Sequence, residues 1–142
     1  MDCIREVSPN DKESIYRLLV VLEETNIDTK QFSDIFDFNI LNPQVFYYVY
    51  EKEDKILGFI SIHVQKLLHH TANIAEIQEF IVDENMRHHG VGKRLFQKAK
   101  EVAVYNDCQQ LEVCCNNKRI PSHKFYQSQG MTNSHYKFGI SL

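Results

Sequence analysis

Long apolar runs are missing from this chain of 142 residues. None approaches the roughly 18 residues that a membrane-crossing helix needs, so no membrane partner is expected. The opening Met1-Asp2-Cys3-Ile4-Arg5 has neither the basic leader nor the apolar block of a secretory signal, and a cytoplasmic protein is expected. A strong charge of one sign is missing too: 16 lysines and arginines against 19 acidic residues leave a net charge of −3, which disfavours a nucleic-acid partner. Cysteines are few. Cys3, Cys108, Cys114 and Cys115 have no zinc spacing, and adjacent Cys114 and Cys115 would project to opposite faces of a strand, so all four read as reduced, mostly packed thiols. There are no repeats, low-complexity tracts or linkers. With 43% hydrophobic and 25% charged residues, the chain fits a single globular domain over residues 1–142.

What is present is organised around the stretch from Glu76 to Leu95. A β-rich run from about Ala75 to Val82 ends in the acidic turn Asp83-Glu84 and passes through Arg87-His88-His89-Gly90-Val91-Gly92 into a helix from Gly92 to about Tyr105. That is a strand feeding an anion site. Gly90 and Gly92 allow the backbone close to a ligand, and the unpaired amides of the helix start, its dipole, Lys93 and Arg94 favour a phosphate or pyrophosphate. A dinucleotide fingerprint would need a glycine where Leu95 stands, and a P-loop would need Gly-Lys-Ser/Thr after a longer loop.

Around this stretch, Cys3–Val7 reads as a short strand and Ser8-Pro9-Asn10-Asp11 as a helix start, with Ile15, Leu18, Leu19 and Leu22 on one buried face. Asp28-Thr29-Lys30-Gln31 opens a second helix carrying Phe32, Ile35 and Phe36, aromatics read as core or as one wall of an acceptor pocket. Val45–Tyr50 and Ile56–Gln65 form a hairpin joined by the five residues Glu51–Lys55, and Gly58 inside the second strand signals a bulge or a close approach. Val91, Leu95, Ala99 and Val102 form the buried stripe of the next helix. Gln110–Cys115 is a strand, Asn116-Asn117 a turn, and Pro121 starts a last helix reaching Gln129 and capped by Gly130, after which Met131–Ser141 is expected to close the sheet.

The hexapeptide Arg87-His88-His89-Gly90-Val91-Gly92 resembles the coenzyme A pyrophosphate loop of the GNAT N-acetyltransferase superfamily. A second motif, Asn117 followed by Phe125-Tyr126-Gln127-Ser128-Gln129-Gly130-Met131, is similar to that family's Asn then Phe-Tyr-x-x-x-Gly-Phe segment, with Met131 in place of phenylalanine. The order of elements over the whole chain looks like the same family. The resemblance implies an α/β (α+β) GNAT acyltransferase fold, with a mixed, mostly antiparallel sheet of six to seven strands and about four helices. Closer still, Ile62-His63-Val64-Gln65 with Leu68-His69-His70, the run Glu76-Ile77-Gln78-Glu79 and the ending Ser134-His135-Tyr136-Lys137-Phe138 resemble the aminoalkylphosphonate N-acetyltransferases.

The resemblance also implies roles for individual residues. Acetyl-CoA is the cosubstrate, held by Arg87, His88, His89, Gly90, Val91, Gly92 and Lys93, with main-chain groups of Phe80, Ile81 and Val82 pairing with its pantetheine arm. Asn117 and Ser122 also touch that arm. Glu76 stands eleven residues before Arg87, the place of the glutamate that several members use as base. A primary amine titrates near 10 and a carboxylate near 4, so Glu76 acts directly only if its pKa is raised, or else relays the proton through water. Glu79, by the two-residue period, points to the opposite strand face from Glu76 and reads as structural. Tyr126 matches the tyrosine that protonates the leaving thiolate.

Seven histidines keep a divalent metal open, although no residue is assigned as a ligand. His63, His69 and His70, when protonated, are also candidate partners of a phosphonate. No cysteine stands in a nucleophile setting, which leaves direct transfer to a small primary amine in a ternary complex. Other acceptors (an aminoglycoside, a polyamine, a protein amine), a coenzyme A-binding module without turnover, and a homodimer stay open.

Overall fold

The structure, a computed structural model, describes residues 1–24 and 26–142. It divides into two compact units, residues 1–112 and 113–142. The elements in chain order are β1 (Asp2–Glu6), α1 (Lys12–Glu23), α2 (Thr29–Ile40), β2 (Val45–Lys52), β3 (Lys55–Leu67), β4 (Ala72–Val82), α3 (Val91–Tyr105), β5 (Cys108–Val113) and α4 (Ile120–Ser128). Among the described residues no helix is long and apolar enough to cross a membrane.

The strands form one sheet in the order β1-β2-β3-β4-β5. The first three pairings are antiparallel, and β5 is reached from β4 through α3, the crossover connection that a parallel neighbour requires. The β2–β3 hairpin is tighter than the five-residue connection expected: Lys52 already pairs with Lys55, and the turn is made by Glu53 and Asp54, both at positive φ. Gly58 meets both of its expectations. The β2–β3 register slips beside it at Tyr50/Glu51, and a Cβ at position 58 would lie 3.0 Å from Leu95 Cδ1, so the missing side chain lets α3 settle on the sheet.

Each face of the sheet carries its own layer. On one face α1 and α2 pack Ile15, Leu18 and Phe36 against Val49, Phe59 and Ile81. Aromatic rings run from helix to sheet in this layer: Tyr16–Phe32 at 5.2 Å, Phe32–Phe36 and Phe36–Tyr47 at 6.0 Å, and Tyr47–Phe59 at 5.4 Å between centroids. Phe32 and Phe36 of α2 are therefore core, whereas Ile35 and Phe38 on the same helix are exposed. Ser8 opens the first helical segment as expected, through a 3-10 turn at Pro9–Asp11 whose Asp11 Oδ2 accepts the Ser8 N–H at 2.8 Å. Asp11 is also clamped by Arg5, at 2.8 Å and 3.0 Å. Asp28 caps α2 by accepting the Gln31 N–H at 2.8 Å. On the other face α3 buries Val91, Leu95, Ala99 and Val102, the expected stripe, together with Phe96 and Ala103.

Residues 131–142 differ from expectation. They hold no strand, so among the described residues the sheet has five strands rather than six or seven. A strand needs a hydrogen-bonded neighbour and a covered face. Here Tyr136, Phe138, Ile140 and Leu142 alternate as a strand would, yet all four side chains are exposed.

Candidate active site

β4 ends at Val82, and a 3-10 turn at Glu84–Met86 follows, with Asp83 accepting the Asn85 N–H at 2.9 Å. The chain then crosses Arg87, His88 and His89, all exposed, into α3. His88 has φ 67° and Gly90, the residue before the helix, has φ 80° and ψ 5°. No side chain caps α3, and its first bond runs from the Arg94 N–H to the Gly90 carbonyl at 3.1 Å. The amides of Val91, Gly92 and Lys93 therefore precede the helical ladder, at the positive end of the helix dipole. The buried Val91 side chain anchors this turn from below. Such a bend can grip a phosphate through main-chain groups alone. Arg94, expected to help, is committed elsewhere: its Nη1 lies 2.8 Å from Asp2 Oδ2, and its guanidinium sits over the Tyr50 ring. Lys93 lies at the helix start.

Phe80, Ile81 and Val82 pair with Ile60, Phe59 and Gly58 on the β3 side of β4. On its other side β5 is the neighbour.

The structure corrects the expected placement of Glu79. Ser61 pairs with Glu79 but Ile62 pairs with Ile77, so Gln78 is an extra residue and β4 carries a bulge there. Beyond the bulge the side-chain phase is inverted. Glu76 stands opposite His63 and Glu79 opposite Ser61, and since 61 and 63 share a face, so do the two glutamates. It is the face of Phe59 and Ile81, toward α1 and α2. Unbroken alternation had placed them apart. The available signal was local: Gln78-Glu79 puts two polar residues in succession between the apolar Ile77 and Phe80.

Ser61, missed from sequence, is fully buried, accepts the Glu79 N–H at 2.9 Å and donates its hydroxyl to the Glu79 carboxylate. Tyr47, also on this face, accepts a hydrogen bond from Asn39 Nδ2 at 2.8 Å. Burial pushes the Tyr47 hydroxyl pKa up, the Asn39 bond opposes this, and the negative Glu79 adds to the rise.

In the second unit, Asn116 organises the turn before α4. Its Oδ1 accepts the Lys118 N–H at 2.9 Å, and its carbonyl meets the Arg119 N–H at 3.0 Å and His123 Nε2 at 2.8 Å. Asn117 is exposed in the same turn. α4 starts at Ile120 with Pro121 in its first turn, and Gly130 at φ 92° follows its end, as expected. Ser122 hydrogen-bonds Cys115. Tyr126 packs edge-on against Phe125, with ring centroids 5.6 Å apart. Its phenol is pushed up to about 12, mainly by burial and further by Cys115, against the pull of Arg119.

Burial also raises the thiol pKa of Cys108 and Cys115, the reverse of what a nucleophile needs, and all four cysteines are free thiols. His69 and His70 lie in the β3–β4 turn, with their ring centroids 4.3 Å apart. Among the described residues no three of His, Cys, Asp and Glu are arranged to hold a metal ion.

The sequence profile of the acetyltransferase (GNAT) family matches residues 12–131. An aminoalkylphosphonate N-acetyltransferase of Salmonella typhimurium is 35% identical over 139 residues, which cover 98% of this chain and 90% of that one. Among solved structures, a transcriptional regulator from Bacillus halodurans superposes with a TM-score of 0.91 at 18% identity, covering 100% of both chains. Glucosamine-6-phosphate N-acetyltransferase from Arabidopsis thaliana does so with a TM-score of 0.83 at 21% identity, covering 99% of this chain and 98% of that one. The structural likenesses speak for the fold alone; the profile, spanning α1 to the end of the second motif, settles descent: this is an acyltransferase, and the chain belongs to the acetyltransferase (GNAT) family.

Proposed function

We propose that residues 1–142 act as one domain that moves the acetyl group of acetyl-CoA to the primary amine of an aminoalkylphosphonate, by direct transfer in a ternary complex. The observation that carries this reading is the 35% identity to an aminoalkylphosphonate N-acetyltransferase over 98% of the chain. The uncapped start of α3 and the loop from Arg87 to Lys93 suit the diphosphate of the cosubstrate, and main-chain groups of Phe80, Ile81 and Val82 at the end of β4, the strand that leads into this loop, are assigned its pantetheine arm. Asn117 and Ser122 contribute to holding that arm. The amine nitrogen attacks the thioester carbonyl, the carbon–sulfur bond breaks, and the ammonium proton leaves through Glu76, directly or by way of water. His63, opposite Glu76 in the register, is a cationic partner for the phosphonate when protonated.

Tyr126 serves the leaving sulfur as a hydrogen-bond donor. A phenol pushed up to about 12 is a weaker acid than a thiol near 8.5, so full proton transfer to the thiolate is uphill by roughly 3.5 pKa units, about 5 kcal/mol. A donated bond stabilises the developing negative charge without that cost.

The test is thiol release from acetyl-CoA with a panel of amines, with and without added divalent cation. Aminomethyl- and aminoethylphosphonate are expected to exceed polyamines, aminoglycosides and lysine peptides in kcat/KM. A preference for one of those would reassign the acceptor. Cofactor binding with no turnover across the panel would make the chain a coenzyme A-binding module. The reading also includes a homodimer formed through residues 131–142, whose alternating apolar side chains are exposed.

A further inference from the structure

The bulge in β4 has a mechanical support that is not part of the cosubstrate loop. An extra residue in a strand leaves a local gap in the ladder, and without a compensating contact the strand can slip by one residue and send every following side chain to the other face. Ser61 fills that gap. Its side chain is completely buried, directly across from Glu79, at the point where the β3–β4 register changes. One hydroxyl makes two hydrogen bonds to one residue: it accepts the Glu79 amide at 2.9 Å and donates to the Glu79 carboxylate. An alanine here would leave the part-buried amide without this partner. Among the described residues no buried side-chain polar atom goes unsatisfied, so this clamp is complete as it stands.

We propose that Ser61 is a positioning residue for acetyl transfer: through Glu79 it pins the Gln78 bulge in the phase that keeps Glu76 on the α1/α2 face. The consequence rests on the acetyltransferase reading above, while the clamp itself does not. Glu79 is then a strut for the base on the same face.

A double-mutant cycle decides the matter, using the full chain, Ser61→Ala, Glu79→Ala and the double variant, with kcat/KM for the best amine of the panel, acetyl-CoA affinity by calorimetry, and amide hydrogen exchange across β4. Ser61→Ala is expected to lower kcat/KM about tenfold, leave acetyl-CoA affinity unchanged and release the protected Glu79 amide. In the Glu79→Ala background, where the carboxylate bond is gone but the main-chain amide bond to Ser61 remains, the same substitution is expected to cost about threefold. Equal losses in both backgrounds, a loss confined to thermal stability, or a Glu79 amide that stays protected in Ser61→Ala would each overturn the proposal. If Ser61→Ala does not fold, Ser61→Cys, which keeps a weak donor, replaces it in the cycle. A wild-type protein that acetylates no amine would defeat the functional reading alone. The exchange result then decides the clamp: retained protection refutes it and lost protection supports it.

Discussion

A phenol whose pKa is pushed up to about 12 keeps its proton at every pH where this protein would be assayed. Tyr126 thus stays a protonated phenol throughout, and it imposes no alkaline limb on the rate below about pH 10. For Tyr126→Phe the expectation is a fall in kcat of about 10- to 100-fold, the worth of one hydrogen bond to a developing charge, with acetyl-CoA affinity nearly unchanged. Stopped turnover over pH 6 to 10 checks both parts. Full activity of the variant, or a wild-type alkaline limb near pH 9 that vanishes with the phenol, would remove Tyr126 from the role given to it. Its environment was illegible in sequence, because the rise comes from burial and from Cys115, eleven positions upstream. Its candidacy was legible, since it rode on the Phe-Tyr-x-x-x-Gly motif. Arg94 shows the converse: a cation next to an anion loop invites a phosphate contact, and only coordinates reveal Asp2 and Tyr50 already engaging it.

At the scale of elements, periodicity carried most of the reading and failed where a period breaks. The stripe Val91, Leu95, Ala99, Val102 gave α3 to within a residue, because a helix that buries one face must repeat it at three and four. The hairpin and the helix starts at Ser8, Asp28 and Pro121 were legible from capping chemistry. The bulge at Gln78 was not, since a parity rule assumes a ladder with no extra residue, and this one carries no glycine to mark it. The loop between β4 and α3 does carry its mark. Gly90 sits at φ 80°, and nothing lies within 4 Å of the place a Cβ would take, so backbone conformation, not crowding, requires glycine there. Gly90→Ala faces about 1–2 kcal/mol of left-handed strain. Relaxing that strain turns the amides of 91–93 from their common focus, so acetyl-CoA binding is expected to weaken about tenfold by calorimetry. Far-ultraviolet circular dichroism should be unchanged, because the buried stripe of α3 is untouched. Unaltered affinity would take this bend out of the cosubstrate site.

For the whole molecule, fold and chemistry separate: a transcriptional regulator shares this architecture at a TM-score of 0.91, so the architecture by itself names no acceptor. What the architecture does bear on is association. β5 is the last strand of the sheet and among the described residues has no further strand beyond it, while residues 131–142 carry the alternation of a strand with no strand neighbour. Tyr136, Phe138, Ile140 and Leu142 stand exposed, a run of apolar surface that water disfavours by about 25 cal/mol per Å². An unpaired strand pattern and an unpaired sheet edge are complementary, and a second copy supplies both at once. Pairing this segment with the β5 edge of another protomer would cover the apolar row and satisfy its main chain. Light scattering at micromolar concentration is therefore expected to give twice the chain mass of 16.7 kDa. Phe138→Asp with Ile140→Asp should return the single-chain mass without loss of circular dichroism, since neither residue belongs to a helix, a strand or the core. A wild-type protein that stays at one chain mass up to about 100 μM would mean that this segment finds its cover elsewhere, and a variant that stays dimeric would move the interface to another surface.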